Sequence, residues 1–579
     1  MVHLEAFDYV FAIAVIFAFL DAFNIGANDC SNSFSSSISS RSLKYWQAMI
    51  LAAICEFLGA VLAGSRVSDT IRSKILNLSA YNSTPSVLML AMTCALVGSS
   101  TWLSFATYIR MPVSTTHSLV GGVIGAGVAT VGSKNVVWGW KGFSQIVASW
   151  FIAPAISGGF AGIIFLIVKY AVLERKHSLR NALFFAPVVV FATFSILTML
   201  IVWKGAPNLH LNNLSTGATV GSIFGVGGVA TIIYLVFIHP FFYRRLVHND
   251  WTLKYYHVLM GPVYYFKSTD DIPPMPEGHQ LVVDYYEGRR HNDETVNPTD
   301  KGEDVENTSN SDEGVAAKDK DLADGDESEA VHFSNLEKTE TVKEHERELW
   351  KRLIKVPSKW PYLFYLLASY GWRQDVINSQ SHNGAFGDGI EALHRRAKFY
   401  DIKVEHVFSL LQAFTACTMS FAHGANDISN AAGPLATIYL VWTSNTIASK
   451  ADVPIWVLCF CAASLVVGLW LFGYRLMANL GNKLILQSPS RGFSIELGTA
   501  VTTIIATRLA IPISTTQCAI GATIAVGLCN MDLKSCNWKM VAFIYFGWIV
   551  TLPCAGLISG IICGIVVNAP RWGGVYELS

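Results

Sequence analysis

The heptapeptide G-A-N-D-C-S-N at Gly26–Asn32 returns as G-A-N-D-I-S-N at Gly424–Asn430, identical at six of seven positions. A second motif follows each copy, P-V-S-T-T at Pro112–Thr116 and P-I-S-T-T at Pro512–Thr516. Asp29 and Ser114 lie 85 residues apart, Asp427 and Ser514 lie 87 apart. Two unrelated motifs held at nearly equal spacing indicate duplication of an entire half, and the fold must accommodate both copies.

The halves are hydrophobic. Residues of the AVILMFWYC set make up 52% of the chain, and many apolar runs approach the ~20 residues that cross a bilayer as a helix. In the first half these are Phe7–Phe23, Trp46–Gly64, Val87–Tyr108, His117–Val131, Phe143–Val168, Leu183–Trp203 and Val220–Phe242. In the second they are Val407–Phe421, Pro454–Tyr474, Ile495–Ile511, Gln517–Leu528 and Val541–Val567. The expected fold is an all-α polytopic membrane protein of about 12 transmembrane segments. The first run carries Glu5 and Asp8 in place of a basic leader, so it reads as a retained helix.

The formal net charge of zero hides two unlike regions. Residues 268–350 hold 24 of the 42 acids and 8 of the 42 bases, leaving 18 acids against 34 bases elsewhere. The basic remainder chiefly sets topology and meets lipid headgroups. The acidic tract is too poor in apolar residues to pack a core and reads as disordered. The organisation expected is a first repeat over 1–169, connecting helices over 170–242, a cytosolic loop over 243–403 and a second repeat over 404–579. Trp350–Tyr370, with its lysines beside Trp360, reads as an interfacial amphipathic stretch. The eleven cysteines sit in or beside apolar runs without a C-x-x-C pair, as small buried hydrophobes do.

If the first run starts outside, Arg41, Lys44, Lys169, Arg175, Lys176 and Arg180 fall inside, and the glycosylation sequons at Asn77, Asn82 and Asn213 fall outside. The short runs His117–Val131 and Gln517–Leu528 suit half helices in re-entrant pairs. Whether each pair crosses twice or not at all, an odd number of crossings separates the two G-A-N-D runs. The copies then enter the membrane in opposite directions, the inverted-repeat plan of secondary transporters with a site between the repeats.

An acid at membrane depth is costly unless paired or bound to a cation, so Asp29 and its repeat Asp427 read as functional. Asp21 has Met419 as its counterpart and no such support. Glu56 is either a residue of the substrate or ion path or the partner of a buried base; Glu496 is a further embedded acid without a counterpart in the first half. Each P-x-S-T-T opens an apolar run and so marks a helix start, where free N–H groups and the dipole favour oxyanions. An ordinary cap needs one hydroxyl, and here three stand in a row, twice. Hydroxyls and helix starts suit a tetrahedral oxyanion; carboxylates repel it. Broken helices at the two Asn-Asp pairs would bring both sets together, and hard cations on the carboxylates would reconcile them, in a cation–anion symporter.

The paired G-A-N-D-x-x-N and P-x-S-T-T motifs and the long hydrophilic loop resemble the inorganic phosphate transporter family, in particular its fungal sodium/phosphate symporters. The resemblance extends to D-D-I-P-P-M-P-E-G-H at Asp270–His279 and Q-S-P-S-R-G-F-S-I-E-L at Gln487–Leu497. It implies phosphate as substrate, Na⁺ as coupling ion, no cofactor and a homodimer at the plasma membrane, termini outside and large loop in the cytosol. Carried over by motif, Na⁺ would lie at Asp29, Asn32, Asp427 and Asn430, with Asp29 and Asp427 as its carboxylates. Phosphate would lie at Asn28, Ser114, Thr115, Thr116, Asn426, Ser514, Thr515 and Thr516, and Glu56 and Glu496 would be acids needed for transport. The alternatives are a proton-coupled phosphate or sulfate symporter and a phosphate sensor signalling through the loop. Neither an enzyme nor a nucleic-acid partner is expected, since no nucleophile–base pair or cofactor fingerprint is present.

Overall fold

The computed structural model describes residues 4–65, 67–68, 74–140, 142–203, 211, 214–270, 272–289, 353–371, 376–377, 380, 389–448 and 453–569. The side chains of Ser31, Asn32, Leu367 and Ala368 lie outside this set, as do Asn213 and the greater part of the acidic tract, residues 290–350. The chain divides into two compact units: Met1–Arg289 with Gln374–Ser579, and Arg290–Arg373. Residues 243–289 and 389–403, expected in the loop, therefore belong to the same unit as the helices. Of the second unit, a helix at Trp360–Ser369 is described, with Tyr362, Phe364 and Tyr365 exposed on it.

Helices dominate the large unit; among the described residues the sole β feature is an isolated bridge from Leu76 to Val136. In the first half run α1 (Asp8–Asn24), a π-helical stretch Ile25–Cys30, α2 (Ser31–Ser39), α3 (Tyr45–Ala63), α4 (Pro85–Tyr108), α5 (Thr115–Val131) and α6 (Phe143–Val168). The connecting helices are α7 (Ser178–Val202) and α8 (Thr216–Ile233), which a π-helical stretch Tyr234–Ile238 joins to α9 (His239–Val247). The second half carries α10 (Ile402–Ser444), α11 (Ile455–Met477), α12 (Pro489–Arg508), α13 (Thr515–Leu528) and α14 (Trp538–Asn568). Among the described residues, eight helical stretches are long and apolar enough to span a membrane. The short α5 and α13 and the more polar, deeply buried α10 and α12 take up the other four apolar runs.

The two motif helices run antiparallel. At one end Leu4 N–H donates to Trp442 O at 3.0 Å, and Phe11 stacks on Trp442 with centroids 4.2 Å apart. At the other end Ser40 Oγ donates to Gln412 Oε1 at 2.7 Å. Other contacts exchange between copies as an inverted repeat requires: α10 packs on α3 as the α1 side packs on α11, and α5 packs on α14 as α13 packs on α6.

The repeated glycine sets how closely these helices approach. A β-carbon on Gly26 would lie 1.9 Å from Leu465 O, and one on Gly424 would lie 2.4 Å from Glu56 O. Any larger residue would force the helices apart. Neither glycine breaks its helix: α10 runs unbroken through Gly424, and the first copy accommodates Ile25–Cys30 as a π-helical stretch. The expected break at the Asn-Asp pairs falls instead just before Pro112 and Pro512. There Arg110 (φ 60°) and Ala510 (φ 51°) turn left-handed, and Met111 N–H and Ile511 N–H close back on Ala106 O and Ala506 O at 2.9 and 3.0 Å. A left-handed residue bracketed by a six-to-one hydrogen bond ends a helix.

Candidate functional site

Each proline segment leads into a capped helix. Ser114 and Ser514 are extended N-cap residues whose Oγ atoms accept from His117 N–H and Gln517 N–H, both at 3.3 Å. The first hydroxyl of each triplet is thus the ordinary cap; the first threonine donates to the aspartate of its own copy, and the second, Thr116 or Thr516, reaches across the repeat interface.

Asp29 gathers donors from both copies: Thr115 N–H at 3.2 Å and Thr115 Oγ1 at 2.5 Å on Oδ2, and Thr516 Oγ1 at 2.8 Å on Oδ1. Asp427 accepts from Thr515 Oγ1 and from Asn426 Nδ2, the latter at 2.7 Å. Asn430 Nδ2 donates to Thr115 Oγ1 and Thr116 Oγ1, both at 3.1 Å, and Thr116 Oγ1 donates to Ile513 O at 3.3 Å. The structure brings together Asp29, Thr115, Thr116, Asp427, Asn430, Thr515 and Thr516, all at most 3% exposed. The side chain of Asn32 lies outside the described residues. Asn28 and Asn426 adjoin this cluster as braces. Asn28 Oδ1 accepts from Val113 N–H at 3.1 Å while its Nδ2 donates to Met111 O at 3.1 Å; Asn426 Nδ2 donates to Ile513 O at 3.0 Å. Each amide ties its own proline segment to the motif helix.

Two further acids flank the centre. Glu56 accepts from Ser420 Oγ at 2.8 Å and Cys30 Sγ at 3.0 Å, and its Oε2 lies 2.8 Å from His423 Nδ1. His423 Nε2 lies 3.0 Å from Asp427 Oδ2, so the imidazole bridges the two carboxylates. Glu56 thus meets a buried imidazole contributed by the other copy. Glu496 is enclosed by Ser36 and Ser37 Oγ at 2.7 Å, Thr415 Oγ1 at 2.8 Å and Gln412 Nε2 at 2.9 Å. The sequence alone assigned no role to His423, Gln412 or Thr415. The signal for them was polarity within a helix otherwise suited to lipid.

Ligand atoms of Asp29, His423 and Asp427 lie within 4.8 Å of one another. Two ionised carboxylates that close, at an effective dielectric of ~20, repel by about 3–4 kcal/mol. The arrangement therefore holds both charges only with a cation between or beside them. Asp21 is buried on α1 eight residues before Asp29, apart from this cluster, and His117 packs its ring on Trp150 with centroids 3.6 Å apart. Asn77 and Asn82 are exposed in the turn after α3, where Asn77 Oδ1 accepts from Ser79 Oγ at 2.7 Å.

Residues 25–559 match the model of the phosphate transporter family. The chain is 42% identical to the phosphate-repressible phosphate permease pho-4 of Neurospora crassa, over 98% of this chain and 99% of that one. It is 29% identical to sodium-dependent phosphate transporter 1-A of Danio rerio, over 93% and 91% of the two chains. A solved structure titled "The sodium-dependent phosphate transporter" superposes with a TM-score of 0.62 at 23% identity, covering 97% of this chain and all of that one. With duplicated motifs converging between antiparallel halves and the family match running through both, the chain belongs to the phosphate transporter family and is a multi-pass membrane phosphate transporter rather than an enzyme.

Proposed function

We propose that the protein imports phosphate by Na⁺ symport, alternating access around the site between the repeats. One observation carries this reading: Asp29 and Asp427 face each other in a buried cluster where threonine hydroxyls from both repeats donate to them, beside Asn426 and His423. Carboxylate, hydroxyl and amide oxygens gathered on Asp29, with the His423 imidazole beside Asp427 alone, suit hard cations such as Na⁺. In this structure Thr115, Thr515 and Thr516 donate their hydroxyls to the two aspartates, which leaves none of those donors for an anion. Na⁺ on the carboxylates displaces these hydrogen bonds and frees the hydroxyls, with those of Ser114, Thr116 and Ser514, to hold phosphate oxygens. Ion first and phosphate second follows, and each ligand raises the affinity of the other. Asn28 and Asn426 hold the proline segments in register for this exchange, Asn430 completes the polar ring, and Glu56 and Glu496 serve transport from either side. Exchange between the two faces is a rocking of one antiparallel half against the other.

The same reading places the protein as a homodimer in the plasma membrane, its termini and Asn77, Asn82 and Asn213 outside and its large loop in the cytosol. The sodium-dependent relatives support Na⁺ as the ion. Phosphate flux into proteoliposomes, with Na⁺ and proton gradients imposed separately, tests it. Uptake driven by the Na⁺ gradient alone is expected; uptake driven only by the proton gradient would overturn Na⁺ coupling.

A further inference from the structure

The rod formed by α8, its π-helical stretch and α9 is 32 residues long, ~48 Å at 1.5 Å per residue. A hydrocarbon core is ~30 Å thick, so the last dozen residues stand at headgroup level. The chain then doubles back along the rod. Tyr265 Oη donates to Leu235 O at 2.8 Å, and a β-carbon on Gly261 would meet Phe237 O at 2.3 Å. The returning segment Tyr255–Phe266 therefore lies at the level where the rod leaves the hydrocarbon.

Its outer face is apolar at helical spacing: Tyr256, Leu259, Met260, Val263 and Phe266 are all exposed, Leu259 by 75% and Phe266 by 92%. Side chains of this kind at this depth insert among acyl chains. Beside them, between segment and rod, is a cavity of about 340 Å³ lined by His239, Tyr243, Arg244, His248, Lys267 and Thr269 among others, the space of about ten waters at ~30 Å³ each. Arg244 is 4% exposed and anchored by Asp250 Oδ2 at 2.7 Å and by the carbonyls of Lys267 and Ser268, both at 3.0 Å. Those bonds fix the cavity wall and leave Lys267, which forms no ion pair among the described residues, to supply its uncompensated charge.

We propose that this cavity binds the headgroup of an anionic phospholipid whose acyl chains lie on the Leu259–Phe266 face. Lys267, the imidazoles of His239 and His248 and the Thr269 hydroxyl would meet the phosphodiester, and Tyr243 would close the side. An apolar ledge continuous with a cationic pocket at headgroup depth complements such a lipid at both ends.

Full-length protein in detergent, titrated with a fluorescent short-chain phosphatidylserine, tests the assignment. Phosphatidylcholine, and glycerophosphoserine without acyl chains, should bind at least about tenfold more weakly. The pair Lys267→Gln with His248→Gln should weaken phosphatidylserine by at least about fivefold, the effect of ~1 kcal/mol for the one surface cation Lys267. Leu259→Ser with Phe266→Ser should weaken the lipid and leave glycerophosphoserine unchanged. Lys254→Gln, on the same segment outside the cavity, should change nothing, and melting temperature monitors folding throughout. Equal loss in Lys254→Gln, unchanged binding in the Lys267/His248 pair, or glycerophosphoserine binding as tightly as the lipid would each overturn the proposal, the last by identifying a soluble-phosphoester site.

Discussion

The two motif copies share sequence and carry unlike carboxylates. Asp29 is ringed by hydroxyls from both repeats, Thr115 and Thr516. Asp427 keeps its own Thr515 but leans on His423, which is held in turn by Glu56 of the other copy. The difference arises one position before the motif, where Ile25 stands in the first copy and His423 in the second. Duplication supplied two equivalent acids, and a single imidazole made one of them part of a chain of polar contacts that ends on Glu56. A site between inverted repeats can therefore present two equivalent carboxylates in different surroundings while the surrounding helices remain related by symmetry.

The sharpest way to break this comparison is to neutralise each acid. Asp29→Asn and Asp427→Asn should each lower Na⁺-dependent phosphate uptake by at least about tenfold, the lower bound seen for lost second-shell support of a bound ion. Asp21→Asn, outside the cluster, should stay near wild type; near-normal uptake in both site variants would remove the ion assignment. Next in size is the hydroxyl pair. Neighbouring hydroxyls can substitute for one lost group, so Thr115→Val combined with Thr515→Val should raise the half-saturating phosphate concentration by several-fold more than either alone, as two lost charge-assisted hydrogen bonds at ~1.5–3 kcal/mol each allow. Equal effects of single and double variants would argue against phosphate contact. The smallest effect separates the copies: His423→Gln and Glu56→Gln should be non-additive, with a coupling of ~0.5–3 kcal/mol in apparent Na⁺ affinity. Additivity within error would show that the imidazole does not link the two acids.

Much of this was legible in the chain. Repetition of Gly26–Asn32 at Gly424–Asn430, and the odd number of crossings between them, required opposed halves, and the contacts of Leu4 with Trp442 and Ser40 with Gln412 show them. The helix starts at Ser114 and Ser514 followed from proline and hydroxyl chemistry alone. The helix ends before them did not: Arg110 and Ala510 take left-handed angles that side chains resist by ~1–2 kcal/mol, and neither residue type signals a stop. Glycine misled in the opposite sense. It suggested a broken helix at each Asn-Asp pair, whereas at Gly26 and Gly424 it admits a neighbouring backbone.

What the sequence by itself determined is the pattern that repeats: membrane halves, their inversion, paired acids and paired hydroxyl starts, because each rests on periodicity, spacing or the cost of charge in lipid. Only the tertiary structure decided which donor meets which acceptor. Thr516 with Asp29, Asn430 with Thr115, and His423 with Glu56 join residues hundreds of positions apart. Such pairings depend on the distance and angle between packed helices, set by close contacts such as Gly26 on Leu465, and these appear only once the two halves are folded against each other.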